Sequence, residues 1–563
     1  MAQAVAGRKR FARPTRKQSA GTTRRAPESL VLGLADPGMT PLLRAGLGGL
    51  AASLRAILLS RDPTAAWPGV VSIGPGCATA EARRIVVSPG QKGDWEGTLK
   101  ALFERSFRIR DGIIDLPGTY EHGSTRGLAL RCALQDALRR TFLQHGKSAL
   151  KKGSARLRNE MIDDVPGRVV VQRYASFAHQ DAWRKQGLAS ALPRGRAVKL
   201  AGWAYPGAVE RHIGFSGRTK FEYTPAQALC ACFALVGCLS YSLPRGGAIV
   251  ISEPGDLVAF AEVRPQLSPR TVADAHVTGA ADAVLSAYLA LRLDELQRGQ
   301  PGVSAAHGVT LKILPWARQQ KTRASVLSPG AISNDTLDRF DTATRTLPAL
   351  IRVGRGDGGG DDQEPRAYWA ERSEFRRFVS ENLAVEEPWH SGFATARTGD
   401  SPPRSIHRYR SRADDRGALR PREREGIIAM LEHLEEAERV LVESVHTALR
   451  QRFGAIAEQA RGNRAAMRNR FETERERWRL AFAGAKTVDQ VRHALADLWS
   501  RAGPNAELQK SWRTVVPLLG ADHWMRARDL ALVALASYRG RDAEAAGAAE
   551  HEIETAETSE GGN

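Results

Sequence analysis

Residues Ala35–Leu58 read ADPGMTPLLRAGLGGLAASLRAIL, and this stretch decides what kind of core the chain builds. Pro37-Gly38 is a turn dipeptide, and Thr40-Pro41 is an N-cap residue followed by proline at the first helical position. The spacing predicts a helix over 40–59. Leu43, Leu47, Leu50, Leu54 and Leu58 recur every three or four residues, so one leucine face is buried. Gly46, Gly48 and Gly49 lie inside that helix, where each costs about 1 kcal/mol relative to alanine. Such glycines are worthwhile where bare backbone is approached closely, by a neighbouring helix or by a partner.

Outward from this helix, residues 30–345 mix helices and strands. Helices are expected at 94–107, 125–145, 225–242 and 277–298. Strands are expected at Arg84–Ser88, Gly167–Tyr174, Ala197–Trp203, Ala248–Ser252, Leu257–Val263 and Val309–Leu314. The order is irregular, with no repeating strand–helix unit, so this part is an α+β domain. Residues 346–420, with the Gly354–Pro365 run GRGDGGGDDQEP and Pro402, Pro403 and Pro421 nearby, read as a flexible linker or insertion rich in Gly, Pro and Arg. Beyond it, Ile427, Leu431, Leu434, Leu441, Val445, Leu449 and Phe453 trace one apolar stripe. Residues 421–540 are therefore an α-helical bundle, expected to fold as a semi-independent C-terminal domain. Residues 1–29 carry eight cations and no acid before Glu28, and read as a disordered basic tail. Residues 541–563 read as a disordered acidic one.

At 563 residues and 42% hydrophobic content the chain has material for several packed domains. Its formal net charge is +20 although Asp542–Asn563 holds seven acids and no Lys or Arg, so the body is more basic still. A polyanion is the natural partner of such a body. Five cysteines with no CxxC pair fit reduced thiols in a cytoplasmic protein. The Thr224–Leu243 run, TPAQALCACFALVGCLSYSL, is too short and too interrupted to cross a membrane. No secretory signal is present at the N-terminus, and no membrane partner is expected.

Signatures of catalytic chemistry are nearly absent. HGKS at His145–Ser148 ends like a phosphate-binding loop, but Thr141 stands where the upstream glycine belongs. The thirteen histidines show no ligand spacing, so neither metal nor cofactor is expected. Basic segments remain. Lys147–Asn159, KSALKKGSARLRN, offers Lys147, Lys151, Lys152, Arg156 and Arg158 without an acid. It reads as a solvent loop or short basic helix, either a solvated charged face or one whose cations meet phosphates while Asn159 and Gln144 reach base edges. Pro315–Ser325, PWARQQKTRAS, sets Trp316 among Arg318, Gln319, Gln320, Lys321 and Arg323, as a DNA-contacting loop would. In the bundle, Arg461, Arg464, Arg468, Arg475 and Arg479 follow helical spacing and form a candidate stripe for a single strand. Glu472, Glu474 and Glu476 are placed to cancel part of it.

Two stretches, Ala35–Leu58 and Ser124–Lys147 (STRGLALRCALQDALRRTFLQHGK), resemble the Cas-eight large subunits of type I CRISPR surveillance complexes, in the Myxan branch near types I-A and I-B. The likeness spans about residues 30–345, with a weaker helical likeness over 421–540. It implies a non-catalytic Cascade subunit that binds target DNA at the protospacer-adjacent motif and supports the R-loop. The partners it implies are CRISPR RNA, target double-stranded DNA with its displaced strand, and Cascade subunits of the Cas-five, Cas-six and Cas-seven types. A recruited helicase-nuclease or transposition proteins would follow. From the residues alone, a nucleic-acid-processing enzyme with a dispersed metal site and an RNA-binding scaffold remain as alternatives.

Overall fold

The computed structural model describes residues 29–539 apart from 91–92, 144–148, 201–203, 205, 207–220, 299–301, 314–320, 354–366, 400–401, 410–416, 461–462 and 505. The leucine stripe forms the helix Pro41–Arg61, with the Thr40 side chain accepting from the Leu43 amide at 3.4 Å. Its glycines lie against the helix Pro225–Gly237, backbone to backbone. A Cβ on Gly46 would stand 2.0 Å from the Cys230 carbonyl oxygen, and one on Gly49 2.3 Å from that of Phe233. The approach is reciprocal, since a Cβ on Gly237 would stand 1.7 Å from the Ala45 carbonyl oxygen. Gly48 faces the Phe260 ring. Bare backbone here is a helix-packing device.

Two antiparallel four-stranded sheets feed the same core. One runs Leu30–Gly33, Arg84–Ser88, Gly76–Ala80, Val71–Ile73, and the other Leu239–Leu243, Gly246–Pro254, Val303–Ile313, Lys321–Leu327. Leu32, Ile73 and Ile85 enter from the first and Ile249, Val309 and Leu311 from the second. Arg44 ties the first helix to the second sheet through Glu253 at 3.0 Å, and His307 holds the other carboxylate oxygen at 2.6 Å. The N-terminal part is α+β. Among the described residues, the helix long and apolar enough to cross a membrane is Pro41–Arg61, and two thirds of its apolar window is buried in this core. The five cysteines are free thiols. Burial pushes the Cys232 and Cys238 thiols up to about 12, which leaves them unreactive at neutral pH.

Three local expectations are corrected. Leu257–Val263 is a helix, because Asp256 caps it by accepting from the Val258 and Ala259 amides at 2.8 and 3.0 Å. A short apolar run does not distinguish strand from helix by its period. The helix expected at 225–242 ends at Gly237, and Leu239–Leu243 turns into a sheet strand. Of Ala197–Trp203, Val198–Leu200 forms the strand.

The C-terminal part is helical, with helices Pro421–Met430, Glu436–Gln459, Arg464–Gly484, Val488–Ala502, Ala506–Val515 and Trp524–Ser537. Ile427, Leu441, Val445 and Leu449 of the stripe are fully buried. This core does not stop at residue 421. Phe340 and Leu347, at the end of the helix Asn334–Thr346, belong to it, as do Phe375, Phe378, Trp389 and Phe393. Much of the supposed linker is therefore packed structure, including the helix Glu374–Leu383. Arginines and prolines made it look loose, but four large aromatics anchor it. The Gly354–Pro365 run itself lies outside the described residues, as do residues 1–28 and 540–563.

Polar bonds fix the same junction. Asp529 accepts from the Gly392 and Ala394 amides at 2.8 and 3.0 Å. Glu438 accepts from His390 at 2.7 Å and from Arg526 at 2.5 Å. Burial raises the Glu438 carboxyl, but the His390 and Arg526 bonds override it and hold it at about 2. Its pKa is thus lower in the folded chain than the ordinary 4.5. The contribution is complete above pH 4.5 and is lost as pH falls from there toward 2. Chemical denaturation at a series of pH values should show that acid loss, and Glu438→Gln should flatten it. An unchanged profile in the variant would assign the acid sensitivity elsewhere.

The helix Ala280–Arg298 joins the two halves. Ala283, Val284 and Ala287 pack with the second sheet, while Ala281 and Leu285 enter the C-terminal core. Asp282 is fully buried and bonds Arg376 of the former linker at 2.7 and 2.9 Å.

Candidate nucleic-acid interface

The segment expected as a loop or basic helix is a strand. Ala149–Ile162 pairs antiparallel with Val165–Ser176 around a turn in which Asp163 and Asp164 both take positive φ. The Asp163 carboxylate accepts from the Val272 and Ala273 amides at 2.8 and 2.6 Å, pinning the turn to the body. Strand alternation separates the residues that were grouped by sequence. Arg156 and Arg158 oppose Val171 and Val169 across the pair, whereas Asn159 opposes Arg168 on the other face. Arg156, Arg158 and Asn159 are all exposed. Asn159 shares its face with Leu157, Met161 and Val170, which are 46%, 59% and 45% exposed. Lys151 and Lys152 lie on the same strand, and Lys147 lies outside the described residues.

In the second basic segment, Lys321 and Arg323 belong to the edge strand Lys321–Leu327, so this half is not a loop. Arg318, Gln319 and Gln320 lie outside the described residues. The bundle stripe is also shorter than expected. Arg464 and Arg468 are exposed on the helix Arg464–Gly484, but Arg475 donates inward to the Leu535 carbonyl. Arg479 is chelated by Glu476 at 2.6 and 2.7 Å and also meets His407. Arg475 thus ties its helix to Trp524–Ser537, while Arg479 is held within its own helix and against the strand Ser405–Tyr409. Arg461 lies outside the described residues.

A cationic site that sequence reading passed over is a groove of about 560 Å³ at the end of the first helix. Arg55 and Arg61 come from that helix, Arg105 from the helix Trp95–Ser106, and Arg108 and Arg110 from the strand Arg108–Arg110. Two of the five are ion-paired, Arg55 with Glu121 at 3.3 Å and Arg108 with Asp115 at 2.8 Å. Arg61 and Arg110 are exposed, and Glu104 lies in the wall. Burial, and then the neighbouring Arg61 charge, lowers the pKa of Arg105, a sign of crowded cations. The signal available in sequence was RSFRIR at 105–110, three arginines where a helix hands over to a strand.

The groove and the hairpin meet at one short strand pair. Arg108–Arg110 pairs with Ile113–Asp115, and the Tyr174 amide of the hairpin donates to the Gly112 carbonyl of their turn at 2.7 Å. Arginine side chains from Arg55 to Arg158 are thereby gathered onto one framework. Among the described residues no group of three His, Cys, Asp or Glu side chains is placed to hold a metal ion.

The DevT N-terminal domain family matches residues 31–232, and the DevT C-terminal domain family matches residues 430–561. The CRISPR-associated protein Cas8a1/Csx13 of Myxococcus xanthus (strain DK1622) is 50% identical over 548 residues, 96% of this chain and 94% of that protein. The chain belongs to the Cas8 family. As a Cas8 protein of the Myxan subtype it is a large subunit of a type I CRISPR system. The groove arginines and the hairpin of this Cas8 chain fall within the DevT N-terminal segment. Arg464 and Arg468 fall within the C-terminal one. The aromatic anchors Phe375, Phe378, Trp389 and Phe393 lie between the two.

Proposed function

We propose that this Cas8 chain binds target DNA at the protospacer-adjacent motif and supports R-loop formation within a Cascade complex, without catalysing a reaction itself. The observation that carries the reading is the arginine groove built onto the same strand pair as the basic hairpin. Densely placed guanidiniums at a surface groove suit phosphate backbones, and the exposed Arg61 and Arg110 are the ones best placed for bidentate contacts. Exposed Arg156 and Arg158 extend that track, and Lys147, Lys151 and Lys152 belong to the same segment. Lys321 and Arg323, with Arg318, Gln319 and Gln320 just before them, are proposed as a second DNA contact. Arg464 and Arg468 would support the displaced strand. Its partners in this reading are CRISPR RNA, target DNA, the Cas-five, Cas-six and Cas-seven types of subunit, and a recruited helicase-nuclease or transposition machinery. Five free thiols are in keeping with work in the cytoplasm.

Target binding by the complex assembled with and without this chain, measured over a salt series, tests the reading. Replacing Arg61 and Arg110 by glutamine should reduce the salt slope by about 0.9 for each phosphate no longer neutralised. Arg156→Gln with Arg158→Gln should act in the same direction. Asn159→Ala should change motif preference and leave the slope alone. A complex whose DNA affinity and motif preference are the same without this chain would overturn the proposal.

A further inference from the structure

Beside the arginine groove, and sharing Arg110 and Tyr120 with it, lies a cavity of about 200 Å³ with a different chemistry. Arg264, only 3% exposed, lines it. Its Nε donates to the Val236 carbonyl at 2.6 Å, Nη2 to the Cys238 carbonyl at 2.9 Å, and Nη1 to Ser268 Oγ at 2.8 Å. Arg126 lies over the Tyr120 ring at 5.0 Å and donates to the Thr119 carbonyl at 2.6 Å. The two arginines are linked, because Ser268 Oγ donates to that same Thr119 carbonyl at 2.7 Å. All these acceptors are neutral.

A buried guanidinium without a counter-anion carries an uncompensated desolvation cost, and a second cation beside it adds to that cost. Burial, then the Arg126 charge, brings Arg264 down to about 10, so both remain cations at neutral pH. The carboxylate in the wall, Asp115, is already held by Arg108 at 2.8 Å and the Tyr120 hydroxyl at 2.6 Å. Arg131, also in the wall, is drawn to Asp111 at 3.5 Å. Leu134, Leu138, Leu235 and Leu239 give the cavity an apolar side, and Ser124, Thr125, Gln135 and Ser240 are polar members of the rest of the lining.

From this pairing of the buried Arg264 and the half-buried Arg126 with a side of leucines, we infer that the cavity binds a nucleotide phosphate monoester, its phosphate between Arg126 and Arg264 and its base against the leucines. A monoester can carry two negative charges where a diester carries one, which matches two guanidiniums. The phosphate is either that of a free nucleotide or the end of a strand lying in the adjoining groove. The site depends on buried charge within this chain and not on its place in a complex.

Calorimetric titration of the full chain at fixed ionic strength, with adenosine monophosphate and with adenosine, tests the inference. The monophosphate should bind and adenosine should bind at least about tenfold more weakly. Arg126→Gln should weaken monophosphate binding by about tenfold or more, while Arg464→Gln with Arg468→Gln leaves it unchanged. Arg264→Gln should do the same if it folds, and Arg126→Gln decides the matter if it does not. Equal binding of adenosine, no binding of the monophosphate, or full affinity in Arg126→Gln would each overturn the site. A 5′-phosphorylated hexanucleotide that outcompetes its 5′-hydroxyl counterpart identifies a strand end as the source, and equal competition identifies the free nucleotide. A chain that assembles and binds target DNA but ignores the monophosphate would sink this inference and leave the assembly role standing.

Discussion

Gly237→Ala is expected to abolish stable folding of the N-terminal half. The new Cβ would sit 1.7 Å from the Ala45 carbonyl oxygen and 2.5 Å from the carbonyl carbon, both backbone atoms in the second turn of a buried helix. No side-chain rotation relieves that clash. The helices Pro41–Arg61 and Pro225–Gly237 must move apart, and the packing of Leu47, Leu50 and Phe233 loosens. Overpacking of a rigid core ordinarily costs about 1–3 kcal/mol, and a backbone-to-backbone clash belongs at or above the upper end. Gly454→Ala is the control. It lies in the exposed interior of the helix Glu436–Gln459 with no neighbouring atom within 4 Å, so it should gain up to about 1 kcal/mol. Soluble yield and urea denaturation of both variants measure the contrast. Equal stability of the two would mean the helix pair tolerates separation.

A fragment of residues 421–539 is expected not to fold cooperatively, although the DevT C-terminal match begins at residue 430. Cutting there removes Phe340, Leu347, Phe375, Phe378, Trp389 and Phe393 from the core. It also removes His390 from Glu438 and the two amides from Asp529. Truncating one buried Phe or Trp costs about 3–5 kcal/mol, so losing several exceeds the roughly 5–15 kcal/mol that stabilises a typical domain. A fragment of residues 328–539 restores all of these groups and should melt cooperatively by circular dichroism. A sharp melt of the shorter fragment would show that the aromatic anchors are dispensable.

What could be read from sequence was what is settled within one or two turns of chain. Thr40, Pro41 and the leucine spacing specify the first helix, and its glycines already implied a close neighbour. The identity of that neighbour was not local, since Cys230, Phe233 and Gly237 belong to a helix far along the chain. Leu257–Val263 failed because a short apolar run fits either period, and one capping aspartate decided between them. The basic hairpin failed for a related reason. Glycine and lysine weaken the strand signal, and pairing with Val165–Ser176 supplies what local preference lacks. The bundle stripe follows the period of its helix, but two of its arginines are engaged within the protein. Arg475 and Arg479 face a carbonyl and a glutamate, and the carbonyl comes within reach only when the helices pack. The arginine groove was least legible of all, because its cations come from separate elements and none is unusual where it stands.

The helix Ala280–Arg298 has a consequence for how the chain emerges from the ribosome. One side, through Ala283, Val284 and Ala287, finds its partners in the sheet, most of which precedes it or follows closely. The other side, with Ala281 and Leu285, waits for Phe375, Leu441 and Leu530. At synthesis rates of roughly 5–20 residues per second, the last of these arrives about 10–50 s after the helix itself. Throughout that interval the nascent chain displays an apolar strip flanking Asp282, a carboxylate whose arginine, Arg376, is made only later. That strip is where a chaperone would engage the half-made protein. Slow codons are therefore best tolerated before residue 280 or after residue 540, and a pause between them prolongs the exposure.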